Sequence, residues 1–115
     1  MQHYTVRSGW PILKGAPLVL ALFSFPASAQ QVAEVGIESY KFAPPALSIE
    51  AGDSVCWSNR EKRSSHSVVL PAEGGLESER LFPGESWQRR FDRPGRYEYH
   101  CGPHPEMKGV VVVAE

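Results

Sequence analysis

Three side chains that bind soft metal ions follow one another at equal three-residue steps near the C-terminus. They are the thiol of Cys101, the imidazole of His104 and the thioether of Met107, with Pro103 and Pro105 on either side of the imidazole. Because proline fixes φ and has no backbone N–H, this stretch is predicted to be a stiff loop rather than a strand or a long helix. A stiff loop loses little conformational entropy when it holds ligands in a set geometry.

The chemistry of these donors favours copper. Soft sulfur ligands favour copper over calcium or magnesium, and a thioether is not among the usual ligands of zinc. A fourth donor must come from elsewhere, and His66 and His100 are the candidates. His100 lies next to Cys101 on the opposite face of its strand, so it cannot easily reach the same ion. We therefore predict one metal site, formed by His66, Cys101, His104 and Met107.

Two histidines, a cysteine and a weak axial methionine form the ligand set of blue-copper electron-transfer sites. The alternative interpretation gives each residue an ordinary role, as a core methionine, a surface histidine and a buried thiol. No enzymatic role is predicted, because the sequence has no Ser/His/Asp motif, no paired carboxylates in a catalytic setting and no phosphate-binding glycine-rich loop. An axial methionine would also fill the position that a catalytic metal keeps open.

Residues 1–29 have the pattern of a secretory signal peptide. Arg7 and Lys14 precede an apolar run over residues 16–26, and "ASA" follows as a small-residue cleavage pattern. The apolar run is shorter than the roughly 20 residues that a membrane-spanning helix needs. We interpret residues 1–29 as a signal peptide and residues 30–115 as one mature domain in a bacterial periplasm, without stable membrane insertion after cleavage. An uncleaved interfacial anchor is the alternative.

The charge balance argues against nucleic acid as a partner. Cleavage removes two basic residues and leaves all 13 acidic ones, so the mature domain is acidic, whereas nucleic-acid binding needs a clustered basic surface. The local basic run "NREKR", residues 59–63, is interpreted as a solvated loop.

Proline and glycine punctuate the mature domain, and short β-rich runs lie between them. This pattern is typical of an antiparallel sandwich or barrel. Strands are predicted near residues 32–40, 46–49, 54–58, 66–70, 86–91, 95–100 and 110–113.

The parity of two strands bears on whether the two cysteines are paired. Cys56 lies between Val55 and Trp57 and points away from their face, whereas Cys101 shares a face with Tyr99. Because aromatic faces should be core faces, Cys101 is expected inside and Cys56 outside. A disulfide requires the two Cβ atoms to face each other, so a Cys56–Cys101 bridge is disfavoured. The alternative is a metal-free β-sandwich interaction module held by that disulfide.

The ligand loop and two longer stretches of the mature domain resemble the cupredoxin family, or type 1 blue copper proteins. The loop "CGPHPEM" is similar in spacing to the amicyanin type, and residues 40–61 and 82–101 resemble the family's "G-D-x-V-x-W-x-N" and "PG-x-Y-x-Y-x-C" stretches. The resemblance implies an all-β Greek-key β-sandwich of about seven to eight strands, with copper at one end. It also implies that His66, Cys101 and His104 are the strong equatorial ligands and that Met107 is the axial one.

Two positions depart from the pattern that the resemblance implies. Ser67 stands where the family commonly has an asparagine that hydrogen-bonds near the thiolate and ties the two ligand-bearing segments together. Serine can still donate a hydrogen bond, but over a shorter distance, so the hydrogen bonds around the ligands and the reduction potential are expected to differ from the family pattern. Glu106 stands where amicyanin-like loops commonly have a large apolar residue of the docking patch. Cys56 is interpreted as a free thiol with no assigned role.

The expected function is one-electron transfer, with copper cycling between Cu(I) and Cu(II). The resemblance implies redox proteins as partners, with a dehydrogenase as donor and a c-type cytochrome as acceptor, and the protein is expected to be a monomer. The outer edge of His104 is the expected electron port, within an apolar docking face that includes Pro44, Pro45, Phe82 and Pro83. A periplasmic copper carrier or buffer with the same ligands is the alternative function.

Overall fold

The structure is a computed structural model that describes residues 30–115. The signal peptide predicted for residues 1–29 lies outside the described residues and stays a prediction. Within residues 30–115 the chain forms nine strands: β1 Val32–Glu38, β2 Lys41–Ala43, β3 Ala46–Glu50, β4 Ser54–Asn59, β5 Val69–Leu70, β6 Leu76–Glu77, β7 Ser86–Arg90, β8 Gly95–His100 and β9 Lys108–Ala114. In this part of the chain, no helix is long and apolar enough to cross a membrane.

The nine strands form two sheets with the orders β2-β1-β4-β7 and β3-β9-β8-β5-β6. Their inward side chains form one core, which confirms the predicted all-β Greek-key sandwich. The pairing is mixed rather than wholly antiparallel, since β1 pairs with β4 and β3 pairs with β9 in parallel. Neither pair is consecutive in the sequence, so neither is joined by the tight hairpin that dictates antiparallel pairing.

The described residues form nine strands rather than the expected seven to eight, because the short strands β2 and β6 were not predicted. Two predicted strands also differ in extent from those observed. The run over residues 32–40 ends early, because Ser39 and Tyr40 adopt φ values of 54° and 56° and turn the chain from β1 into β2. The run over residues 66–70 is a strand only at Val69–Leu70, and His66 forms an isolated bridge with Leu81. The histidine predicted as the fourth metal ligand therefore lies in an irregular segment rather than on a regular strand.

The core confirms the predicted parity. Val55, Trp57 and Cys101 are fully buried, Tyr99 is nearly so, and Cys56 is only partly buried. Both cysteines are free thiols, as expected from their opposite orientations. The metal-free module held by a disulfide therefore has no support in this structure.

Aromatic rings fill the core next to β8, the strand that directly precedes the predicted ligand Cys101. The Trp57 ring lies 5.3 Å from that of Tyr99 and 5.4 Å from that of Trp87. Burial raises the pKa of Tyr99 to about 12, so its hydroxyl stays protonated at physiological pH. The Tyr99 ring also occupies the space that a Cβ at Gly109 would need, which explains the glycine at this point of β9. These rings give the adjoining ligand loop a closely packed base.

Candidate metal centre

Asn59, at the end of β4, organises the loop that leads to His66. Its side-chain amide donates to the carbonyls of Ser64 and Leu81 at 2.8 and 2.9 Å, and its Oδ1 accepts from the N–H of Glu61 at 2.8 Å. His66 then exchanges two backbone hydrogen bonds with Leu81, at 3.0 and 2.7 Å. A single buried amide therefore sets the path of the polar loop and the position of the histidine that follows it.

The second ligand segment is the loop that connects β8 to β9. The N–H of Cys101 donates to the carbonyl of Met107 at 3.0 Å, and the N–H of Met107 donates to the carbonyl of His104 at 2.9 Å. The two prolines contribute no competing donors. Three of the predicted ligand residues are thus connected by the backbone of one short loop, as expected from its sequence.

Three of the four predicted donors lie close together. The Cys101 Sγ is 3.6 Å from Nδ1 of His66 and 3.7 Å from Nδ1 of His104, and all three donor atoms lie within 4.8 Å of one another. Met107 is 3% exposed at the end of the same loop. His100 is not in the cluster, and its Nδ1 lies 3.1 Å from the carbonyl oxygen of Cys101.

The spacing of the donors fits a single metal ion. A metal that binds sulfur at about 2.3 Å and nitrogen at about 2.0 Å, as zinc does, places these donors about 3.5–3.7 Å apart when the angle between the bonds is about 110–120°. The observed sulfur–nitrogen distances of 3.6 and 3.7 Å match this range. One thiolate, two imidazoles and a nearby thioether are the donors that copper prefers.

His66 is fully buried, and its surroundings favour the neutral imidazole. Burial lowers the pKa of His66, and the neighbouring His104 lowers it further. Neutral imidazole is the form that binds a metal. Its Nε2 faces Oε1 of Glu61 at 3.4 Å, which is a close electrostatic contact but longer than a well-formed hydrogen bond. With Nε2 directed to the carboxylate, Nδ1 faces the thiol.

Glu61 and Tyr40 complete the surroundings of the two imidazoles, and the sequence analysis missed both. Glu61 accepts the N–H of Tyr40 at 2.9 Å, and this bond is the main reason why the pKa of Glu61 is lowered. The Tyr40 ring centroid lies 5.5 Å from that of His66 and 5.0 Å from that of His104, edge-on in both cases. The tyrosine thus packs across both histidines.

The interpretation of "NREKR" as a solvated loop is correct only in part. Arg60, Lys62 and Arg63 are exposed, but Asn59 is buried and Glu61 is partly buried against His66. Glu61 could have been found from its position, because it is the one acidic residue in a basic run shortly before the candidate histidine. For Tyr40 the sequence offered no signal, because its left-handed backbone conformation has no glycine to mark it.

The thiol of Cys101 receives a backbone donor from the other ligand segment. The N–H of Ser67 points at Sγ over 3.5 Å, and the Ser67 hydroxyl accepts the N–H of Gly102 at 3.0 Å. Donation to a sulfur stabilises its negative form. Ser67 therefore links the two ligand-bearing segments despite its short side chain.

One edge of the centre reaches the surface. His104 is partly buried, whereas Pro103, Pro105 and Glu106 around it are exposed. Tyr40 and Phe82 are also unusually exposed for large apolar side chains, at 51% and 56%. One imidazole is therefore enclosed by the fold, and the other lies at an accessible face.

A small β-sandwich with a thiol and two imidazoles converging at one end defines a protein that binds a single soft metal ion. The sequence profile of copper-binding proteins of the plastocyanin/azurin family matches residues 29–114. The chain therefore belongs to this family of copper-binding proteins, and copper is the cofactor that its donor set fits.

Individual relatives agree with this family. Amicyanin-alpha of Methylorubrum extorquens is 39% identical over 84 residues, covering 70% of this chain and 70% of that protein. Amicyanin of Paracoccus denitrificans is 36% identical, covering 76% and 72%, and the chloroplastic plastocyanin of Tetradesmus obliquus is 32% identical, covering 89% and 80%. Among solved structures, the Cu(I) form of an amicyanin variant superposes with a TM-score of 0.68 at 33% identity, covering 72% of this chain and 82% of that one.

Proposed function

We propose that the protein is a type 1 blue copper electron carrier. The observation that carries this proposal is the convergence of Cys101 Sγ with Nδ1 of His66 and Nδ1 of His104 at sulfur–nitrogen distances of 3.6 and 3.7 Å. These three atoms are the proposed equatorial ligands, and the thioether of Met107 is the proposed axial ligand. Bound copper would supply one-electron chemistry by alternating between Cu(I) and Cu(II).

The protein's own contribution is to keep the donors in one arrangement during electron transfer. His66 is buried and bridged to Leu81, and the loop from Cys101 to Met107 is closed by backbone hydrogen bonds. A site that does not rearrange loses little energy to reorganisation when its charge changes. A buried thioether at Met107 leaves no open position for a substrate, which supports a carrier rather than an enzyme.

His104 is the proposed electron port. It is partly exposed, lies between the exposed Pro103 and Pro105, and packs against the ring of the exposed Tyr40. A small, largely apolar face suits transient redox complexes, which bury less than about 1,200 Å². Exposed Glu106 adds a negative charge to this face, and we expect it to influence which partner binds.

The resemblance to amicyanin supports a periplasmic location, a dehydrogenase as electron donor and a c-type cytochrome as acceptor. The signal-peptide pattern of residues 1–29 also favours export. We propose these partner classes together with the carrier function, and we expect a monomer that docks each partner in turn.

Copper retention separates this function from that of a periplasmic copper carrier or buffer. The copper-loaded protein would be reduced and reoxidised repeatedly in the presence of a Cu(I) chelator and then of a Cu(II) chelator. An electron carrier keeps its copper and its spectrum through these cycles. Transfer of copper to either chelator within a few cycles would contradict the proposal and favour the buffer.

A further inference from the structure

Two hydrogen bonds connect the segments that follow the two buried ligand residues. Ser67 comes directly after His66, and Gly102 comes directly after Cys101. The N–H of Gly102 donates to the Ser67 hydroxyl at 3.0 Å, while the N–H of Ser67 points at the Cys101 sulfur over 3.5 Å. The position of the Ser67 backbone, and hence of its donor to sulfur, is therefore coupled to its own hydroxyl.

A third residue, Glu77, controls the direction of that hydroxyl. Glu77 belongs to the two-residue strand β6 at the edge of its sheet, and its Oε2 accepts the Ser67 hydroxyl at 2.9 Å. A serine hydroxyl has only one hydrogen. Because that hydrogen is donated to the carboxylate, the oxygen of Ser67 keeps its lone pairs for the N–H of Gly102. Without Glu77 the hydroxyl would be free to rotate.

Gly102 provides the space in which these groups meet. A Cβ at this position would lie 2.5 Å from the Ser67 Oγ and 2.5 Å from the Glu77 Oε2, closer than real Cβ contacts. The carboxylate and the hydroxyl thus fill the volume that any other residue at position 102 would occupy. We call this fitted set of Ser67, Glu77 and Gly102 the carboxylate clamp.

We propose that Glu77 is a positioning residue for the Cys101 thiolate, and that it acts through the Ser67 hydroxyl. This inference rests on the proposed function, since it assigns Cys101 as a copper ligand. The clamp holds the Ser67 N–H on the sulfur and ties the His66 segment to the Cys101 loop. It also places a negative charge beside the centre, which favours the more positive oxidation state and lowers the reduction potential.

Glu77 therefore gives the Ser67 hydroxyl the fixed orientation that it lacks by itself. An amide side chain at position 67 would carry a fixed donor and a fixed acceptor, whereas a hydroxyl can rotate and presents a single donor. A carboxylate that accepts the hydrogen of the Ser67 hydroxyl stops this rotation. The two residues are ten positions apart, and β5 and β6 bring them together.

The test compares Glu77→Gln, Glu77→Ala and the control Glu79→Gln in the full-length protein loaded with Cu(II). Glu79 is an exposed neighbour whose replacement removes the same charge outside the clamp. The readouts are the energy of the thiolate-to-copper absorption band, the EPR copper hyperfine coupling, the reduction potential and the rate of copper loss to a chelator. The unmodified protein is measured first, and a missing band there would refute the proposed function rather than this inference.

The two substitutions at position 77 should have different effects on the spectra and on copper release. Glu77→Gln keeps an acceptor for the hydroxyl, so we expect an unchanged band and EPR spectrum, with a potential that rises more than in Glu79→Gln. Glu77→Ala should shift the band and the hyperfine coupling and release copper several-fold faster. The inference is overturned if Glu77→Ala has the unmodified spectrum and release rate, or if Glu77→Gln changes the spectrum as much as Glu77→Ala.

A double-mutant comparison tests whether Glu77 acts through Ser67. If it does, adding Glu77→Ala to Ser67→Ala should change the spectrum and the release rate little further, because the link is already broken. Fully additive effects of the two substitutions would show that Glu77 acts independently of the clamp and would contradict the proposal.

Discussion

The loop from Cys101 to Met107 is positioned mainly by its own backbone, whereas the segment that carries His66 is positioned by side chains from elsewhere in the chain. In the loop, Cys101, His104 and Met107 are connected by two successive backbone hydrogen bonds. In the other segment, His66 depends on contacts from Glu61 and Tyr40. The two histidines differ accordingly, since His66 is fully buried and His104 is partly exposed.

A small domain can thus combine one buried, fixed ligand residue with another that is accessible at the surface. The buried segment resists rearrangement because movement of His66 would disturb several packed groups at once. The loop can present His104 to a partner, because backbone hydrogen bonds within the loop hold its geometry while His104 stays partly exposed. Substitutions in the loop and in the His66 segment should therefore have different effects on the copper site.

Replacing the central donor should abolish the site. In Cys101→Ser the strong sulfur donor is lost from the loop, so the intense thiolate-to-copper absorption band should disappear. Cys56→Ser is the matched control and should keep the band, because Cys56 is a partly buried thiol that is not part of the donor cluster. A band that persists in Cys101→Ser would contradict the ligand assignment.

Removing support from the buried segment should weaken copper binding without abolishing it. Glu61→Ala leaves the Nε2 side of His66 without its acidic neighbour, so the imidazole loses both orientation and basicity. Loss of such a partner typically lowers metal affinity about 10–100-fold. Competition with a chelator measures the change, and Lys62→Ala is the control at an exposed neighbour. Equal affinities in the two variants would show that the His66 segment needs no support from Glu61.

Replacing the axial donor should alter the centre less than losing Cys101. Met107→Leu keeps a buried apolar side chain of similar size, so copper should still bind at one ion per chain. The reduction potential should rise, because the weak axial ligand tunes the potential of such sites. Voltammetry measures the shift. Loss of copper from this variant would contradict the axial assignment of Met107.

Loosening the loop should have a modest effect on stability. Pro105→Ala increases the conformational freedom of the unfolded chain, so the copper-free protein should be destabilised by about 0.4–1 kcal/mol. Denaturant unfolding measures this change, and the absorption band of the copper-loaded variant should stay unchanged. An altered band would mean that the loop depends on its prolines for geometry as well as for stability.

The smallest effect is expected at the other end of β9, far from the loop. Asp53 accepts the N–H groups of Gln31 and Glu50, each at 3.0 Å, and the bond from Gln31 is the main cause of its lowered pKa. A carboxylate with a lowered folded-state pKa contributes stability that is complete above its ordinary pKa of about 4 and is lost as the pH falls through the lowered value.

Asp53→Asn should therefore be slightly less stable than the unmodified protein at pH 7, with a smaller loss of stability on acidification below about pH 4. Thermal unfolding of the copper-free proteins from pH 7 to pH 3 measures both effects. The copper band at neutral pH should be unchanged. An identical acid dependence of the two proteins would show that Asp53 contributes nothing through its charge.

The same contrast explains how much could be predicted from the sequence. The ligand loop could be predicted because its donors, prolines and spacing are local in the sequence. The inward orientation of Cys101 followed from strand parity. His66 was also predicted as a partner for this loop, but on a regular strand rather than in an isolated bridge with Leu81. Local patterns carried each of these predictions.

The surroundings of His66 could not be predicted, because they are non-local. Tyr40 reaches His66, and Glu77 reaches the neighbouring Ser67, only once the strands have assembled, and the turn at Tyr40 has no glycine to reveal it. The strand β6 is two residues long and forms only because β5 lies beside it. The parallel pairing of β1 with β4 likewise depends on the assembly of the whole sandwich.

A titration of the purified protein with Cu(II), followed by visible absorption and EPR, tests directly whether the thiolate of Cys101 binds one copper ion. We expect an intense thiolate-to-copper band that saturates at one copper per chain and bleaches on reduction, with an EPR spectrum that saturates at the same ratio. Binding of copper without such a band, or no binding at all, would contradict the assignment of Cys101, His66 and His104 as one electron-transfer centre.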